Sequence, residues 1–451
     1  MWFKRVLGVT CLFVLAACSA PLVIGGGSGG SYKPEAQLQV AGGAPLVVVS
    51  QSPIQAAGHA CVLLDGKVAC WGANNFRQLA QSGGNSCKSL DCFLSPCWVQ
   101  NLPPVRSVAV GESTTCAITP QGEVWCWGEA NMGQLGADPQ ERCGNDLNVW
   151  PCSHLPVKIQ GLPPVTTMAV SSHICAISET GEVWCWGSNG SGALGTKSSE
   201  ACVPNLAVSR DDMGRERPME GLGCSRSPLR LEGLGGVVQV VSGRSHSCAL
   251  TNRGEVTCWG SNHRGELGIG SNAEEAPPTR VNGLADVASL TAGMVHTCAV
   301  TRGGDLYCWG ANDVGQLGFE ARDKCMSLGF PCSRVPGKVL SGITDAGAGF
   351  THSCARHADG SVSCWGLDTD GQLGFQGKDK CNRNTQVCSL FPQKVPTLAQ
   401  VSALSVGYGF SCVVQDRQVQ CWGRNVLGAL GDGSTRSRSE PRPVDNPTVC
   451  H

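Results

Sequence analysis

The chain has 451 residues, of which 60 are glycine and 28 are cysteine, whereas only 15% are charged, and its formal net charge is −1. This composition is typical of a loop-rich, cysteine-rich protein and unlike that of an average cytosolic enzyme. Because the sequence contains no basic block of the kind that neutralises phosphates, we predict no nucleic-acid partner.

The amino terminus has the features of a secretory signal. Residues 1–5 carry two positive charges, and residues 6–15 form an apolar run that is too short to span a bilayer as a mature helix. The following LAAC (15–18) resembles the lipobox of bacterial lipoproteins, in which a diacylglyceryl group is attached to the cysteine and the chain is cleaved before it. This resemblance implies lipidation of Cys18, and an ordinary small-residue cleavage site is the alternative.

The residues after Cys18 predict a tether. Ser19 stands where aspartate is the usual retention signal of lipoproteins, which implies sorting to the outer membrane. GGGSGGS (25–31) is a flexible segment that cannot bury a core. We predict a location in the bacterial cell envelope, at the outer membrane or the cell surface. The three predicted segments are a signal peptide over 1–17, a tether over 18–44 and a folded domain over 45–451.

From there on the sequence is a series of repeats. The smallest unit is about 50 residues, and the longer copies carry insertions. Each copy offers about four short strands with turn residues between them and no convincing helical segment. The pattern predicts an all-β fold, a seven-bladed β-propeller with four-stranded antiparallel blades. A block of His-x-Cys, a turn, Cys-Trp-Gly and Leu-Gly marks the copies, whose tryptophans are Trp71, Trp127, Trp186, Trp259, Trp309, Trp365 and Trp422.

Two cysteines in each repeat flank a turn, as in CAISETGEVWCWG (175–187). They are nine residues apart around Asp65-Gly66 and ten apart where a three-residue loop ends in glycine, as at Gly181. Since spacing and loop length change together, the cysteines stay opposed, with Cα atoms roughly 4.5–5.5 Å apart, which suits a disulfide. The predicted blade disulfides join Cys61 to Cys70, Cys116 to Cys126, Cys175 to Cys185, Cys248 to Cys258, Cys298 to Cys308, Cys354 to Cys364 and Cys412 to Cys421.

Metal binding is the alternative for these pairs, but structural zinc sites favour close Cys-x-x-Cys pairs brought together in fours, and these pairs lie in separate blades. A secreted chain also permits disulfides. Cys97 and Cys450 are left over; a bond between them would tie the ends of the ring, and the sequence leaves this pairing open. Five further disulfides are predicted inside the insertions that follow Leu-Gly, and they join Cys87 to Cys92, Cys143 to Cys152, Cys202 to Cys224, Cys325 to Cys332 and Cys381 to Cys388.

Three motifs and their copies, HSCAL (246–250), CWG (258–260) and GANDVGQLG (310–318), resemble the regulator of chromosome condensation repeats, over roughly residues 54–445. This resemblance implies a seven-bladed propeller. The family's best-known activity is guanine-nucleotide exchange on a nuclear GTPase, together with chromatin binding. We do not expect that activity, because the chain has an export signal, paired cysteines and a Gly/Ser tether where a basic tail would be needed. Secreted or surface members of the family, which bind proteins through the loops of one face, are more similar.

The candidates for catalysis are weak. Thr114 and Phe410 replace the histidine of the His-x-Cys motif in two repeats, so we predict that this position packs or bonds to backbone; a metal-binding ring of imidazoles is the alternative. The histidines themselves are His59, His173, His246, His296 and His352. The carboxylates of the longest insertion, Asp211, Asp212, Glu216 and Glu220, are more typical of a solvated loop than of an acid–base pair. No nucleophile elbow, phosphate loop or zinc motif occurs, so we predict no catalytic residue, cofactor or metal.

We therefore predict a surface-tethered, monomeric scaffold for an unknown protein or envelope ligand, with an extracellular hydrolase or lyase that uses the propeller channel as the alternative. The insertions all follow third strands, so they should emerge on one face as a crown, defined by loops 80–97, 137–155, 196–227, 319–335 and 375–391. Its candidate contact residues are Trp98, Trp150, Phe330 and Phe391. The alternative is that these rings fold down over the blade ends as core.

Overall fold

The computed structural model of the chain describes residues 46–50, 58–87, 90–145, 148–198, 200–202, 209–210, 216–217, 223–326, 329–381 and 385–450. The predicted signal peptide, the lipidation site Cys18 and the predicted tether lie outside the described residues, as do Asp211, Asp212 and Glu220. Among the residues that are described, no helix has the length and apolar character needed to cross a membrane.

Each repeat folds as one antiparallel sheet, and the seven sheets are the blades of a propeller, which confirms the predicted all-β architecture. Blade 1 contains β1 (Leu46–Val49), β2 (His59–Leu64), β3 (Lys67–Ala73), β4 (Asn85–Cys87) and β5 (Leu90–Trp98). Blade 2 contains β6 (Ser107–Val110), β7 (Thr114–Ile118), β8 (Val124–Glu129), β9 (Arg142–Asn145) and β10 (Asn148–Lys158). Blade 3 contains β11 (Val165–Val170), β12 (His173–Ser178), β13 (Val183–Ser188), β14 (Glu200–Ala201) and β17 (Gly223–Leu231).

The remaining strands complete the ring. Blade 4 contains β18 (Val237–Ser242), β19 (His246–Thr251), β20 (Val256–Ser261) and β21 (Glu275–Arg280). Blade 5 contains β22 (Val287–Ala292), β23 (His296–Thr301), β24 (Leu306–Ala311), β25 (Asp323–Cys325) and β26 (Phe330–Leu340). Blade 6 contains β27 (Ile343–Ala348), β28 (His352–His357), β29 (Val362–Leu367), β30 (Asp379–Cys381) and β31 (Gln386–Lys394). Blade 7 contains β32 (Val401–Val406), β33 (Phe410–Gln415), β34 (Gln418–Gly423) and β35 (Arg438–Pro443).

Two small elements lie in blade 3. A 3-10 turn spans Gly190–Gly192. The longest insertion contains a two-stranded sheet of β15 (Ser209–Arg210) and β16 (Glu216–Arg217), so Glu216 belongs to a short strand.

Five blades have a fifth strand. Blades 4 and 7 have the four strands predicted, whereas blades 1, 2, 3, 5 and 6 add the outer strands β4, β9, β14, β25 and β30. In each case the insertion contains a pair of antiparallel strands, called a hairpin below, whose second arm continues into the fourth strand; in blade 3 the two arms are separated by β15 and β16. In β26, for example, Phe330 to Cys332 pair with β25, and Cys332 to Leu340 pair with β24. The insertions, which sequence analysis describes as loops, therefore contain strands, and their disulfides close hairpins.

The glycine of Cys-Trp-Gly lies where the register between third and fourth strands shifts. Gly260 has a φ of 97°, and a Cβ atom on it would lie 2.5 Å from the carbonyl oxygen of Ser245. The shift between Cys258 and Gly260 is an irregularity of the β-bulge type. Only glycine tolerates both the backbone angle and the close approach, which explains this part of the repeat.

Thirteen disulfides connect the described cysteines. Seven of them lie across the second and third strands of a blade, in the pairing that the turn spacing predicts. These bonds join Cys61 with Cys70, Cys116 with Cys126, Cys175 with Cys185, Cys248 with Cys258, Cys298 with Cys308, Cys354 with Cys364 and Cys412 with Cys421.

The blade disulfides differ from the expectation in one respect, the separation of their Cα atoms. The distance is 4.0–4.2 Å, shorter than the expected range. Such a short separation is typical of opposed residues that do not exchange backbone hydrogen bonds. The opposed cysteines are therefore pairs that do not exchange backbone hydrogen bonds, while their partners and register are unchanged from the expectation.

The other six disulfides lie outside the second and third strands. Five close the insertions in the predicted pairing, with Cα atoms 5.8–6.0 Å apart. The sixth joins Cys97 to Cys450, the pairing that the sequence leaves open.

The tryptophans of Cys-Trp-Gly form the core between blades. All seven are 0% exposed. Each indole Nε1 donates to a backbone carbonyl of the preceding blade, as Trp309 does to Glu266 at 2.9 Å. Trp71 donates to Ala429 at the same distance, which connects the first blade to the last. The indoles therefore fill the space between sheets and also fix their spacing around the ring.

The first and last blades share no strand. The ring is closed instead by contacts between them, including the Val49 N–H, which donates to the Ser405 hydroxyl at 3.2 Å. After β35 the chain crosses to the outer edge of β5, where Thr448 makes a short parallel bridge with Cys97. The disulfide from Cys97 to Cys450 lies at this crossing. We call residues 444–450 the tail.

Candidate interaction face

The crown and the mouth of the central channel lie on the same face of the propeller. In an antiparallel blade, the connections after the first and the third strands leave from the same end. The insertions follow third strands, and residues that end first strands, such as Val110 and Val406, line the channel. The chain enters blade 1 on the other face, because Leu46 pairs with Leu63 beside the β2–β3 turn. We call that side the turn face.

The described residues enclose a small cavity in the central channel. This cavity is about 60 Å³ and is lined mainly by the ends of first strands, including Val48, Val110, Val170 and Val241. About two water molecules fit such a volume, whereas pockets for small molecules measure ~300–1,000 Å³. The cavity is too small for the sugar ring or peptide that a hydrolase or lyase would bind there.

A pair of glutamates lies near this cavity in blade 2. Glu112 lines the cavity, and Glu129, at the end of β8, is 8% exposed. Burial and the charge of Glu112 raise the pKa of Glu129 to about 7, while a hydrogen bond with Ser113 acts in the opposite direction. Such a carboxyl group can hold a proton at neutral pH, but the cavity leaves no room for a substrate that would receive it.

The histidines of the His-x-Cys motif are buried bridges between blades. Each is 0% exposed, and each Nε2 lies 2.6–2.9 Å from a serine or threonine hydroxyl of the next blade. The described residues bring no three of these imidazoles within metal-binding distance of one another. The geometry matches the predicted structural role, although the partner is a side-chain hydroxyl. The pairs are His59–Thr115, His173–Ser247, His246–Thr297, His296–Ser353 and His352–Ser411.

The imidazoles of His173, His246, His296 and His352 are neutral at neutral pH. Thr297 donates its own hydroxyl proton to the carbonyl of Glu266 at 3.0 Å, so it accepts a hydrogen bond from His246 Nε2–H. Burial lowers the pKa of His173 to about 4, and it lowers that of His246, His296 and His352 to about 3. A group with so low a pKa is poorly suited to acid–base catalysis at neutral pH.

The two repeats that lack the histidine also lack its partner. Blade 2 has Thr114 at this position, and the equivalent of the hydroxyl residue in blade 3 is Ile174. Blade 7 has Phe410, and the equivalent residue in blade 1 is Ala60. A histidine in one repeat is therefore accompanied by a serine or threonine in the next. This covariation is the signal from which sequence analysis could have found the partners of the histidines.

The polar residues of the Leu-Gly motif hold their own loop. Gln316 Oε1 accepts a hydrogen bond from the Val314 N–H at 3.1 Å. Glu266 stands in the same position in blade 4, where its carboxylate accepts from the Arg264 N–H at 2.6 Å and from the Ser261 hydroxyl at 2.7 Å. Burial raises the pKa of Glu266, and these hydrogen bonds oppose the shift. Glu266 therefore takes the place of a structural glutamine.

Each crown hairpin packs against the preceding blade. The contact is made by the residue two positions before the Gln, Glu or Ala of the Leu-Gly motif, which we call the junction residue. Arg264 lies over the ring of Phe330, 5.6 Å from its centroid. The other four junction residues pack on a disulfide: Phe76 on Cys143–Cys152, Met132 on Cys202–Cys224, Val314 on Cys381–Cys388 and Leu427 on Cys87–Cys92.

Junction residues change where the next blade has no hairpin. The junction residues before blades 4 and 7 are Ser191 and Asp370, which are polar. Asp370 lies 3.4 Å from Arg424, whose guanidinium lies over the ring of Tyr408 at 5.5 Å. Apolar junction residues thus occur only beneath hairpins among these seven positions, and the crown consists of five hairpins with two gaps.

The four predicted aromatic contacts lie in different environments. Trp150 is half-buried against the junction residues of blades 1 and 2, and Phe330 is half-buried beneath Arg264. Trp98 pairs with Ala69 and packs on the core of blade 1, away from the crown hairpins. Phe391 is 52% exposed on the outer part of blade 6. Only Phe391 of the four therefore offers most of a ring to a partner.

The repeats match those of a known protein family. The sequence matches the Regulator of chromosome condensation (RCC1) repeat in six segments. The chain belongs to this repeat family. The matched segments are 65–118, 121–177, 180–250, 253–300, 303–356 and 359–414.

The relatives of this family member differ widely in their length. E3 ubiquitin-protein ligase HERC2 of Homo sapiens is 29% identical over 386 residues, which cover 84% of this chain but only 7% of HERC2. The ultraviolet-B receptor UVR8 of Arabidopsis thaliana is 27% identical over 400 residues, which cover 86% of this chain and 80% of UVR8. The similarity to both is therefore a similarity of the repeat array.

A solved structure supports the same fold. Prp20p of Saccharomyces cerevisiae, whose structure was described with its binding properties to Gsp1p and histones, is 22% identical to this chain. The two superpose with a TM-score of 0.65, and the match covers 84% of this chain and 86% of Prp20p. At this level of identity the likeness concerns the fold.

In this member of the repeat family, ion pairs also fix the crown between blades 1 and 2. Arg77 lies 2.6 Å from Asp91 of its own blade and 3.2 Å from Glu141 of the next. Glu141 in turn lies 2.7 Å from His154. Burial tends to raise the pKa of Glu141, but hydrogen bonds from His154 and Arg77 outweigh it and lower the pKa below its usual value. The hairpin of blade 2 is thus fixed electrostatically as well as by its disulfide.

Two acidic side chains lie beside crown cysteines. Glu141 lies near Cys143 and Cys152, and Glu200 near Cys202 and Cys224, with the potential ligand atoms of each group within 4.8 Å of one another. Both cysteine pairs are disulfides. Because a metal needs the thiolate form, disulfide formation removes the sulfur ligands from both groups.

Proposed function

We propose that the chain is a protein-binding scaffold tethered to the outer surface of a bacterial envelope, with the crown as its contact surface. The observation that carries the proposal is the placement of five disulfide-closed hairpins on one face. Blades 4 and 7 complete their sheets without a hairpin. The hairpins are therefore not needed to build a blade, and they add a surface to it.

The disulfides suit these hairpins to binding. A side chain that becomes immobilised on binding costs about 0.5–1.5 kcal/mol. Each hairpin is fixed in advance by its disulfide and by the junction residue beneath it. The binding of Gsp1p and histones by Prp20p offers a precedent for protein partners on this fold. We do not propose guanine-nucleotide exchange, because the predicted export signal separates the chain from cytoplasmic GTPases.

The position of Leu46 places the entry of the chain away from the crown. The predicted tether over 18–44 precedes Leu46, which lies toward the turn face. A chain anchored at Cys18 would therefore enter the propeller from the turn face and leave the crown free for a partner.

Phe391 is the sharpest test of the contact surface. We expect Phe391→Ala and Trp150→Ala each to weaken binding to a captured envelope protein by about 1–2 kcal/mol, because large aromatic side chains dominate binding energy. Trp150→Ala should also lower the melting temperature, since Trp150 packs on two blades. Isothermal titration and thermal unfolding of the same preparations separate the two effects.

Val238 provides the matched control. It is 50% exposed, close to the 52% of Phe391, but it lies near the start of β18 toward the turn face. Val238→Ala should leave the affinity unchanged. Equal losses for Val238→Ala and Phe391→Ala, or a partner footprint confined to the turn face, would contradict the proposed surface.

Lipid anchoring has a separate test. We expect Cys18→Ala to abolish labelling by a radioactive or clickable fatty acid and to move the chain from the detergent phase to the aqueous phase. One acyl chain gives only marginal membrane binding, whereas several together are effectively permanent. Ser19→Ala is the control, because the lipobox cysteine remains. Continued membrane association of the Cys18→Ala chain would show that the predicted lipid anchor at Cys18 is wrong.

A further inference from the structure

The thirteen disulfides differ in their exposure to solvent. Both cysteines are buried in each of the twelve bonds that lie within a single blade, and Cys97 is buried too. Cys450 is half-buried, which makes it the exception among the disulfide cysteines that the structure describes. Its bond with Cys97 spans 353 residues, whereas the longest of the others spans 22.

The tail that carries Cys450 lies on the surface. Thr448 exchanges two backbone hydrogen bonds with blade 1, donating to the Pro96 carbonyl and accepting from the Trp98 N–H, both at 3.0 Å. Val449, next to Cys450, is 59% exposed. Solvent therefore reaches Cys450 without any blade opening.

We propose that Cys97–Cys450 is a thiol-exchange site, at which a dithiol reductant releases the tail from the first blade. One thiolate of the dithiol attacks Cys450 Sγ, forms a mixed disulfide with it and expels Cys97 Sγ as a thiolate, which takes up a proton. The second thiolate attacks the reductant's sulfur in the mixed disulfide and expels Cys450 Sγ, which is protonated in turn. The dithiol loses two electrons and becomes a disulfide, and the protein gains two thiols.

Burial makes the exchange selective. The cysteines of the other bonds reach a reductant only when their blade opens locally, which requires free energy before any chemistry can begin. The bond from Cys61 to Cys70 is the closest comparison, because Cys70 lies directly opposite Cys97 in the register of β3 and β5 and both its cysteines are 0% exposed. Neighbouring disulfides of one blade thus differ in access to a reductant.

Release of the tail leaves the ring closed. Trp71 still donates to Ala429, and the Val49 N–H still donates to Ser405, so the first and last blades remain joined. The contacts that are lost lie at the outer edge of β5, where Trp98 loses the carbonyl of Thr448 as its hydrogen-bond acceptor, whereas Val444 and Asp445 keep their hydrogen bonds to the carbonyls of Val419 and Gly431 in blade 7. The reduced protein is therefore a closed propeller in which the end of the tail is released from the first blade.

Partial reduction tests the proposal on the full oxidised chain. We would treat it with limiting dithiothreitol in native buffer, alkylate with iodoacetamide and map the labelled peptides over time. We expect Cys97 and Cys450 to be labelled at least ~10-fold faster than any other pair, because only the other pairs need a local opening. Far-ultraviolet circular dichroism should remain that of the oxidised protein. Earlier labelling of another pair, or simultaneous labelling of all pairs, would refute the site.

The Cys450→Ser variant provides a second test. In this variant the fast-reacting pair should be absent, and Cys97, which has no disulfide partner there, should alkylate at the same rate with and without the reductant. Ser95→Ala is the control, because it removes only the hydrogen bond from Ser95 to Asp445 of the tail and leaves the disulfide in place. A fast-reacting pair that persists in Cys450→Ser would overturn the assignment. If that variant does not fold, the time course of the native chain decides alone.

Discussion

Trp186→Ala should lower the free energy of unfolding by about 3–5 kcal/mol, as expected for the truncation of a fully buried large aromatic side chain. Trp186 is 0% exposed and packs between blades 2 and 3, against residues such as Leu135 and Ile174. Its Nε1 donates to the carbonyl of Gln134 at 2.9 Å. The substitution leaves a cavity and also removes the indole donor from that carbonyl.

The surroundings of the Gln134 carbonyl make Trp186 a sharper choice than Trp365. The Gln316 carbonyl accepts from both Trp365 and Ser353, whereas Ile174 occupies the hydroxyl position beside Trp186. We therefore expect Trp186→Ala to cost more than Trp365→Ala.

Trp184, two residues earlier in the same strand, is the matched control for Trp186. It is only half-buried, so Trp184→Ala should cost much less. Denaturant unfolding without a reductant measures all three substitutions on chains whose disulfides remain closed. Equal losses for Trp184→Ala and Trp186→Ala would show that the inter-blade indole is not a major source of stability.

Acid should destabilise the propeller strongly between pH 6.5 and about pH 3. The folded-state pKa values are about 4 for His173 and about 3 for His246, His296 and His352. They lie below the value of the unfolded chain, so the unfolded chain binds protons first as the pH falls. The stability from these groups is therefore complete above pH 6.5 and is lost toward pH 3, on the order of 3 kcal/mol for His173 and about 5 kcal/mol for each of the other three.

The chain itself suggests the control for this effect. Blade 7 and blade 1 meet through Phe410 and Ala60 in place of a histidine and a hydroxyl, so His246→Phe combined with Thr297→Ala copies a natural junction. Between pH 6 and pH 4 the dependence of unfolding free energy on pH should become shallower by about 1.4 kcal/mol per pH unit, the value for one proton. An unchanged slope would contradict the low pKa of His246. Glu129, whose pKa is raised, acts in the opposite direction and remains in both proteins.

Sequence analysis predicts the features that each repeat determines by itself. The spacing of Cys175 and Cys185 follows the length of one turn, so the pair and its register can be inferred from a few adjacent residues. The blade count follows in the same way from a motif that occurs once in each sheet. These features depend on local backbone geometry, for which the periodicity and turn residues provide enough information.

The features that were missed depend on contacts between consecutive repeats. The partner of His246 is Thr297 in the next blade, and Trp150 contacts the junction residues of blades 1 and 2. A single repeat holds only half of each contact, so no local pattern reveals it. The fifth strands were missed for a related reason. The outer strands are short and contain polar or charged residues, a pattern typical of loops, and they become strands only because the adjoining fourth strand supplies a partner.

The contacts between consecutive blades define which part of the chain can be copied or moved as a module. A duplicated blade would place its histidine against a neighbour without a hydroxyl group wherever that neighbour has a residue such as Ile174 or Ala60 at the hydroxyl position. A transplanted hairpin would contact a polar junction residue such as Ser191 instead of an apolar one. The exchangeable unit is therefore larger than the visible repeat, because each blade is matched to both of its neighbours. A swap that keeps both halves of each contact, such as His246 with Thr297 and Arg264 with Phe330, should preserve the ring, whereas a swap of one blade alone should not.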